Sequence, residues 1–186
     1  MSLIGYDDSV HDFASGRRKN FETGEKYEKD LEHMKWKMVM HRFHFTPEAP
    51  SVVSKSKEGE IYLARLEHNG QLLPGYMRSN GWAYFAYEGQ IIMRCSGHEL
   101  LCDGNVKWHV PHRVAEKDVV VIGHDKDKNP LFFGGFVVNG IELYGEVRKG
   151  VCNIAADLGE GWMTILSEPE SYGILGLDKS RLYESH

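Results

Sequence analysis

Beyond Trp36 the chain runs as short apolar stretches broken by Gly, Pro and Asn, and those stretches are rich in β-branched and aromatic side chains. Runs of that kind predict strands. Ile61 to Leu66, Asn69-Gly70 and Leu72 to Met77 predict a hairpin, because an Asn-Gly pair accepts the positive φ values of a tight primed turn. Leu131 to Val138, Asn139-Gly140 and Ile141 to Val147 predict a second. Val119-Val-Val-Ile122 adds a buried strand, and Trp82 to Tyr87, Ile91 to Met93 and Gly161 to Leu166 add three more. Alternation sets Trp82, Tyr84 and Ala86 on one face and Ala83, Phe85 and Tyr87 on the other, one of the two faces being core. With 20 glycines for turns, the pattern predicts an all-β sandwich or small barrel.

The two hairpins are copies of one another. Glu60 to Arg78 aligns with Pro130 to Arg148 at a constant offset of 70 residues, which sets Asn69-Gly70 on Asn139-Gly140, Leu73 on Leu143, Gly75 on Gly145 and Arg78 on Arg148; Gly89 then falls on Gly159. Each copy opens at a tryptophan, Trp36 or Trp108, and closes on a short apolar tail, His98-Glu-Leu-Leu101 or Tyr172-Gly-Ile-Leu175. The offset is 72 at the tryptophans, so a few residues are gained or lost before the first strand. A period this long marks a duplicated module. Units of about 70 residues seldom bury a full core alone, so the copies are expected to pack about a pseudo-two-fold axis. The expected organisation is a leader over 1–35, a first repeat over 36–103, a second over 104–178 and a tail over 179–186.

The leader differs in texture. It is dense in charges of both signs, and Phe21, Tyr27, Leu31 and Met34 suit one face of a short amphipathic helix; a solvated leader is the alternative. With 186 residues the chain can fold without metal or disulfide. Its net charge of −5, with Lys and Arg scattered, argues against a nucleic-acid partner. The start lacks a basic segment followed by an apolar run, and no stretch is long enough to span a membrane. These features predict a soluble, cytoplasmic protein, with unconventional release left open. Cys95, Cys102 and Cys152 form an odd set without CxxC spacing, which predicts reduced, mostly buried thiols.

Candidate chemistry is sparse. His41-x-x-His44 and His109-x-x-His112 each follow an opening tryptophan, yet metal ligands at that spacing need a helix, and Pro111 and the β-rich surroundings oppose one. His98 with Cys95 or Cys102 carries no nucleophile signature, and Gly134-Gly135 and Gly159-Glu-Gly161 lack the strand-to-helix context of a phosphate loop. No metal, no cofactor and no enzymatic activity are expected; a cryptic Cys/His or metal enzyme is the distant alternative.

In order and partly twice, several short motifs carry a family resemblance. An opening Trp, Ile122-Gly123-His124-Asp125, Pro130-Leu-Phe-Phe-Gly-Gly, Pro74-Gly75, Ala83-Tyr-Phe-Ala-Tyr-Glu-Gly-Gln90 and His98-Glu-Leu-Leu101 resemble the DM-nine tandem repeat family, from about residue 36 to 176. Members include invertebrate mannose-binding lectins of pathogen recognition, and related repeats accompany pore-forming domains in natterin-like proteins. The resemblance implies a carbohydrate-binding, lectin-like protein of the innate-defence type, with a mannose-type glycan as partner and a homodimer as a candidate assembly. In sugar-binding members an Asp of the Gly-x-Asp turn and the Lys of a Pro-Gly-Lys motif carry the ligand. Asp125 matches the Asp; Lys55 stands at its place in the first copy, and Tyr76 and Glu146 stand where the Lys belongs. These four are the expected ligand-binding residues, with Lys55 facing Glu146 and Asp125 facing Tyr76 if the copies oppose one another. Carboxylates, amides, charged donors and an aromatic face are what hexose recognition requires. The alternative is a protein-interaction or structural module of the same fold that has lost sugar binding and assembles through its leader.

Overall fold

The computed structural model describes residues 34–41 and 50–180. The helix expected over the leader, His44 and the chain beyond residue 180 lie outside the described residues, but Met34 already begins a strand and is buried. The first copy contributes β1 (Met34–Val39), β2 (Val52–Ser56), β3 (Gly59–His68), β4 (Gln71–Arg78), β5 (Ala83–Tyr87), β6 (Gln90–Arg94) and β7 (His98–Gly104). The second contributes β8 (Val106–His109), β9 (Gly123–His124), β10 (Pro130–Val138), β11 (Ile141–Arg148), β12 (Val151–Asp157), β13 (Met163–Glu168) and β14 (Gly173–Leu177). Two 3-10 turns, Pro111–Arg113 and Glu116–Asp118, lie between β8 and β9. Among the described residues no helix is long and apolar enough to cross a membrane.

Among the described residues all fourteen strands join one open hydrogen-bonded network, so the all-β expectation takes its open form and no barrel closes. Both hairpins form as the Asn-Gly pairs dictate, with φ of 49° and 73° at Asn69-Gly70 and 51° and 79° at Asn139-Gly140. Their registers match: Ala64 opposes Gly75 and Leu66 opposes Leu73, while Gly134 opposes Gly145 and Phe136 opposes Leu143. Away from the hairpins the offset drifts. Ala83 and Cys152, which oppose Met77 and Val147, are 69 apart, and Leu100 and Ile174, which oppose Ala64 and Gly134, are 74 apart. Both shifts arise in the turns: Ser79 to Trp82 joins β4 to β5 where the shorter Lys149-Gly150 joins β11 to β12, and Glu88-Gly89 joins β5 to β6 where the longer Leu158 to Trp162 joins β12 to β13. Gly89 and Gly159 are therefore not strict structural equivalents.

The copies are linked reciprocally. Leu72 of β4 pairs with His124 of β9, and the Ser54 hydroxyl of β2 donates to the Glu142 carbonyl of β11 at 3.1 Å. Each partner stands 70 residues from its counterpart, as a pseudo-two-fold arrangement requires.

Two cores result. The larger draws Ile61, Leu63, Tyr76 and Tyr84 from the first copy against Phe133, Leu143, Tyr144 and Ile154 from the second. The smaller is formed by Tyr62, Ala64, Leu73, Met77, Phe85 and Leu100 of the first copy, with Leu131 from the second. Tyr84 serves one core while Ala83 and Phe85 serve the other, so both faces of β5 are buried, against the expectation of one. Val119 to Ile122 is buried as expected but is not a strand: apart from one bridge between Val119 and Gly176, its amides bond singly, Val120 N–H to Leu175 O and Ile122 N–H to Leu131 O. All three cysteines are free; Cys152 is buried, Cys95 and Cys102 half-buried.

Candidate functional site

The duplicated arginines sit where the copies meet. Arg148 closes β11, and Glu146 two positions earlier lies on the same face of the strand, so the two side chains meet by β geometry alone. Arg148 Nε and Nη2 donate to the two carboxylate oxygens of Glu146, each at 3.0 Å, in a bidentate pair. Nη2 also donates across the seam to Gln71 Oε1 at 3.2 Å, and Nη1 lies 3.8 Å from Asp125 Oδ2. Gln71 Nε2 reaches Glu88 Oε1 at 3.4 Å, and at the rim Asn69 Nδ2 donates to the Tyr87 hydroxyl at 3.3 Å beside the ring of His68. Asp125, Glu146 and Arg148 thus come from the second copy, and Asn69, Gln71, Tyr87 and Glu88 from the first. Gln71, Asp125 and Glu146 are buried, Arg148 is half-buried, and Asn69 and Glu88 are exposed, which gives the cluster a mouth.

Asp125 is also a turn clamp. One oxygen accepts the N–H groups of Asp127 and Asn129, each at 2.9 Å, and the other accepts Asn129 Nδ2 at 2.9 Å. Burial raises its pKa, but those bonds and Arg148 outweigh burial and hold it below the usual carboxylate value. Burial works against the charge of Arg148 as well; Glu146 foremost, then Asp125 and Glu88, outweigh it and keep the guanidinium charged.

The opposite seam is closed. Tyr76 is fully buried, its hydroxyl donates to the Ala155 carbonyl at 2.8 Å, and burial pushes its pKa up to about 12. Arg78, the counterpart of Arg148, donates through Nη1 to Glu58 and through Nη2 to the Asp157 carbonyl at 3.3 Å. Lys55 pairs with Glu60 at 3.4 Å on the surface. The exchange of partners expected between Lys55 and Glu146 is therefore replaced by Lys55 with Glu60 and Glu146 with Arg148, because each carboxylate has a cation nearer along its own hairpin. Of the four expected residues, Asp125 and Glu146 share one cluster; Tyr76 belongs to the other seam.

The arginines were visible in the sequence only as a matched pair among scaffold residues. Their signal was identity at an offset of 70 in a charged residue, where burial or turn chemistry alone would not demand one. The histidine pairs gather no metal set: His109 Nε2 lies 3.3 Å from the Leu177 carbonyl, and among the described residues no group of three His, Cys, Asp or Glu side chains converges.

The DM9 repeat profile matches residues 55–162, more than half of the chain, across both hairpins and the seam between them. The chain belongs to the DM9 repeat family. At the level of the family a DM9 repeat has a lectin-like, carbohydrate-binding type of fold. No curated protein matches the sequence. Among solved structures, the nematode sperm cell motility protein MFP2B resembles this DM9 protein with a TM-score of 0.56 at 15% identity, over 77% of this chain and 44% of that one. The present chain spans less than half the length of MFP2B, and at that identity the likeness is one of fold.

Proposed function

We propose that the protein is a non-enzymatic, carbohydrate-binding recognition module that takes a mannose-type hexose at the seam of Asp125, Glu146, Arg148, Gln71 and Glu88. The observation that carries this reading is convergence: two copies supply carboxylates, a guanidinium and an amide to one half-open cluster, with the Tyr87 and His68 rings at its rim. A hexose hydroxyl pair needs adjacent donors and acceptors, and Arg148 with Glu88 offers both at the mouth. Asp125 holds the turn and aims its second oxygen at the same space, Glu146 fixes the guanidinium plane, and Lys55 and Tyr76 take no part in this site. A role in pattern recognition follows from the family resemblance and rests on the same chemistry.

The test is a glycan array followed by calorimetric titration with mannose, on the wild type and on Glu88→Gln and Asn69→Gly, two exposed changes that leave the buried cluster intact, glycine keeping the positive φ of the turn. Saturable binding that weakens in both variants supports the seam. A blank array together with no heat at millimolar mannose sinks it.

A protein-interaction module is the second reading, favoured by one observation: both Asp125 oxygens and both Glu146 oxygens already have partners inside the chain. It predicts that Glu88→Gln and Asn69→Gly alter assembly by light scattering while no glycan binds.

A further inference from the structure

We infer a second, unrelated site: the groove between β8, β14 and the two 3-10 turns binds a tetrahedral oxyanion, a phosphate or sulfate group that is either free or carried as an ester. The groove is open to solvent and is lined by Lys107, His109, Arg113, Val114, Asp118 and Lys179 among others. Three cations therefore meet here against two carboxylates, Asp118 and Asp178, in a chain whose net charge is −5.

The charges are arranged with the acids inside and the cations outside. Lys107 Nζ lies 3.2 Å from Asp178 and Lys179 Nζ 2.7 Å from Asp118; the aspartate side chains are 15% and 16% exposed, the lysines 49% and 51%. Each ammonium is half in solvent and has three N–H donors, so it can keep its aspartate and still offer an N–H to a ligand. Arg113 differs. Its backbone is fixed by an N–H bond to the Val110 carbonyl at 2.8 Å and by the buried Val114 beside it, yet among the described residues its guanidinium has no ion-pair or hydrogen-bond partner. An Arg fork with two flanking point charges suits a group with several equivalent oxygens better than it suits a planar carboxylate.

The wall is built to fit. A Cβ on Gly176 would come within 2.7 Å of the His109 ring and 2.9 Å of the Asp118 carbonyl, so glycine is what lets the imidazole lie against β14 while Nε2 donates to the Leu177 carbonyl at 3.3 Å. That contact fixes the ring as one side of the groove.

The experiment is an amide-resolved NMR titration of the full chain with inorganic phosphate at constant ionic strength, repeated with sulfate, acetate and glucose 6-phosphate. Saturable shifts confined to residues 106–119 and 173–180, produced by phosphate and sulfate and not by acetate, are expected. Arg113→Ala, an exposed surface change, should weaken phosphate binding about tenfold or more, the effect of one lost charge-assisted hydrogen bond; Arg113→Lys should recover part of it. Tighter binding of glucose 6-phosphate assigns an esterified group, and equal binding assigns the free anion. The proposal is overturned if chloride alone reproduces the shifts or if Arg113→Ala binds phosphate like the wild type. Glu88→Gln at the sugar seam should leave the titration unchanged, which keeps the two sites' tests separate.

Discussion

His98 should make the fold acid-labile. It is fully buried on β7, opposite Val39 of β1, with Met77 Sδ 3.4 Å from Nε2, the Phe85 ring 6.3 Å away, and Nδ1 without a partner of good geometry. Burial pushes its pKa down to about 4, with only a weak opposing pull from the Ser96 backbone. An unfolded histidine titrates near 6.5, so the unfolded chain takes up the proton first as pH falls. Stability from this group is therefore complete above about pH 6.5 and declines through the window down to about pH 4, by about 3 kcal/mol in all. Asp125, whose carboxyl is held low, adds a loss of the same sign at more acid pH, common to wild type and variant. The variant is His98→Tyr, because Tyr172 occupies the matching place at the end of the second copy and donates to the Gly150 carbonyl there. Urea unfolding of both proteins between about pH 7 and pH 4.5 gives the comparison. Overpacking by the larger ring displaces the whole variant curve and leaves its slope readable. Parallel curves for the two proteins across that window would refute the reasoning.

Other consequences are as direct. Tyr76→Phe strips the buried Ala155 carbonyl of its donor and should cost about 1–2 kcal/mol in urea unfolding, with no change in mannose titration. Arg148→Met leaves the buried Glu146 carboxylate unpaired and should cost about 2 kcal/mol at neutral pH, discounted for the exposed part of the guanidinium; Glu146→Gln in the same background should recover most of that loss in thermal unfolding. Gly145→Ala places a methyl group against the Asn153 carbonyl of the neighbouring strand, a backbone atom that cannot turn aside, and should cost about 2–3 kcal/mol or prevent soluble expression.

Strands and turns were legible because their causes are local. Asn69-Gly70 and Asn139-Gly140 each fix a turn, the flanking apolar runs fix strand length, and an offset of 70 fixes the common register. Val119 to Ile122 predicts a strand for the same local reasons, yet apolar β-branched composition reports burial, whereas a ladder needs a neighbour with free N–H and C=O groups along its length. Here Leu175 and Leu131 each offer only one carbonyl, so the run is threaded between two elements. Both faces of β5 are core for a comparable reason. Alternation assumes one wet face, and the second copy, 70 residues away in sequence, removes it.

The seam required knowledge of which side chains cross between copies, and sequence offset conceals that. Glu146 and Tyr76 occupy the same place in their repeats, yet one carboxylate finds Arg148 two residues along its own strand while the hydroxyl finds a carbonyl of the other copy. Once Tyr76 fills its seam, Arg78 is left to reach a main-chain oxygen at Asp157; on the other side the space stays polar and Arg148 reaches the side chain of Gln71. A side-chain acceptor can be exchanged for a ligand oxygen, and a main-chain acceptor locked under a buried tyrosine cannot. Among the described residues the asymmetry at one pair of positions thus leaves a two-fold scaffold with one open seam, and mannose titration should accordingly return one site per chain; a stoichiometry of two would mean that Tyr76 yields to ligand and that the closed seam is a second site.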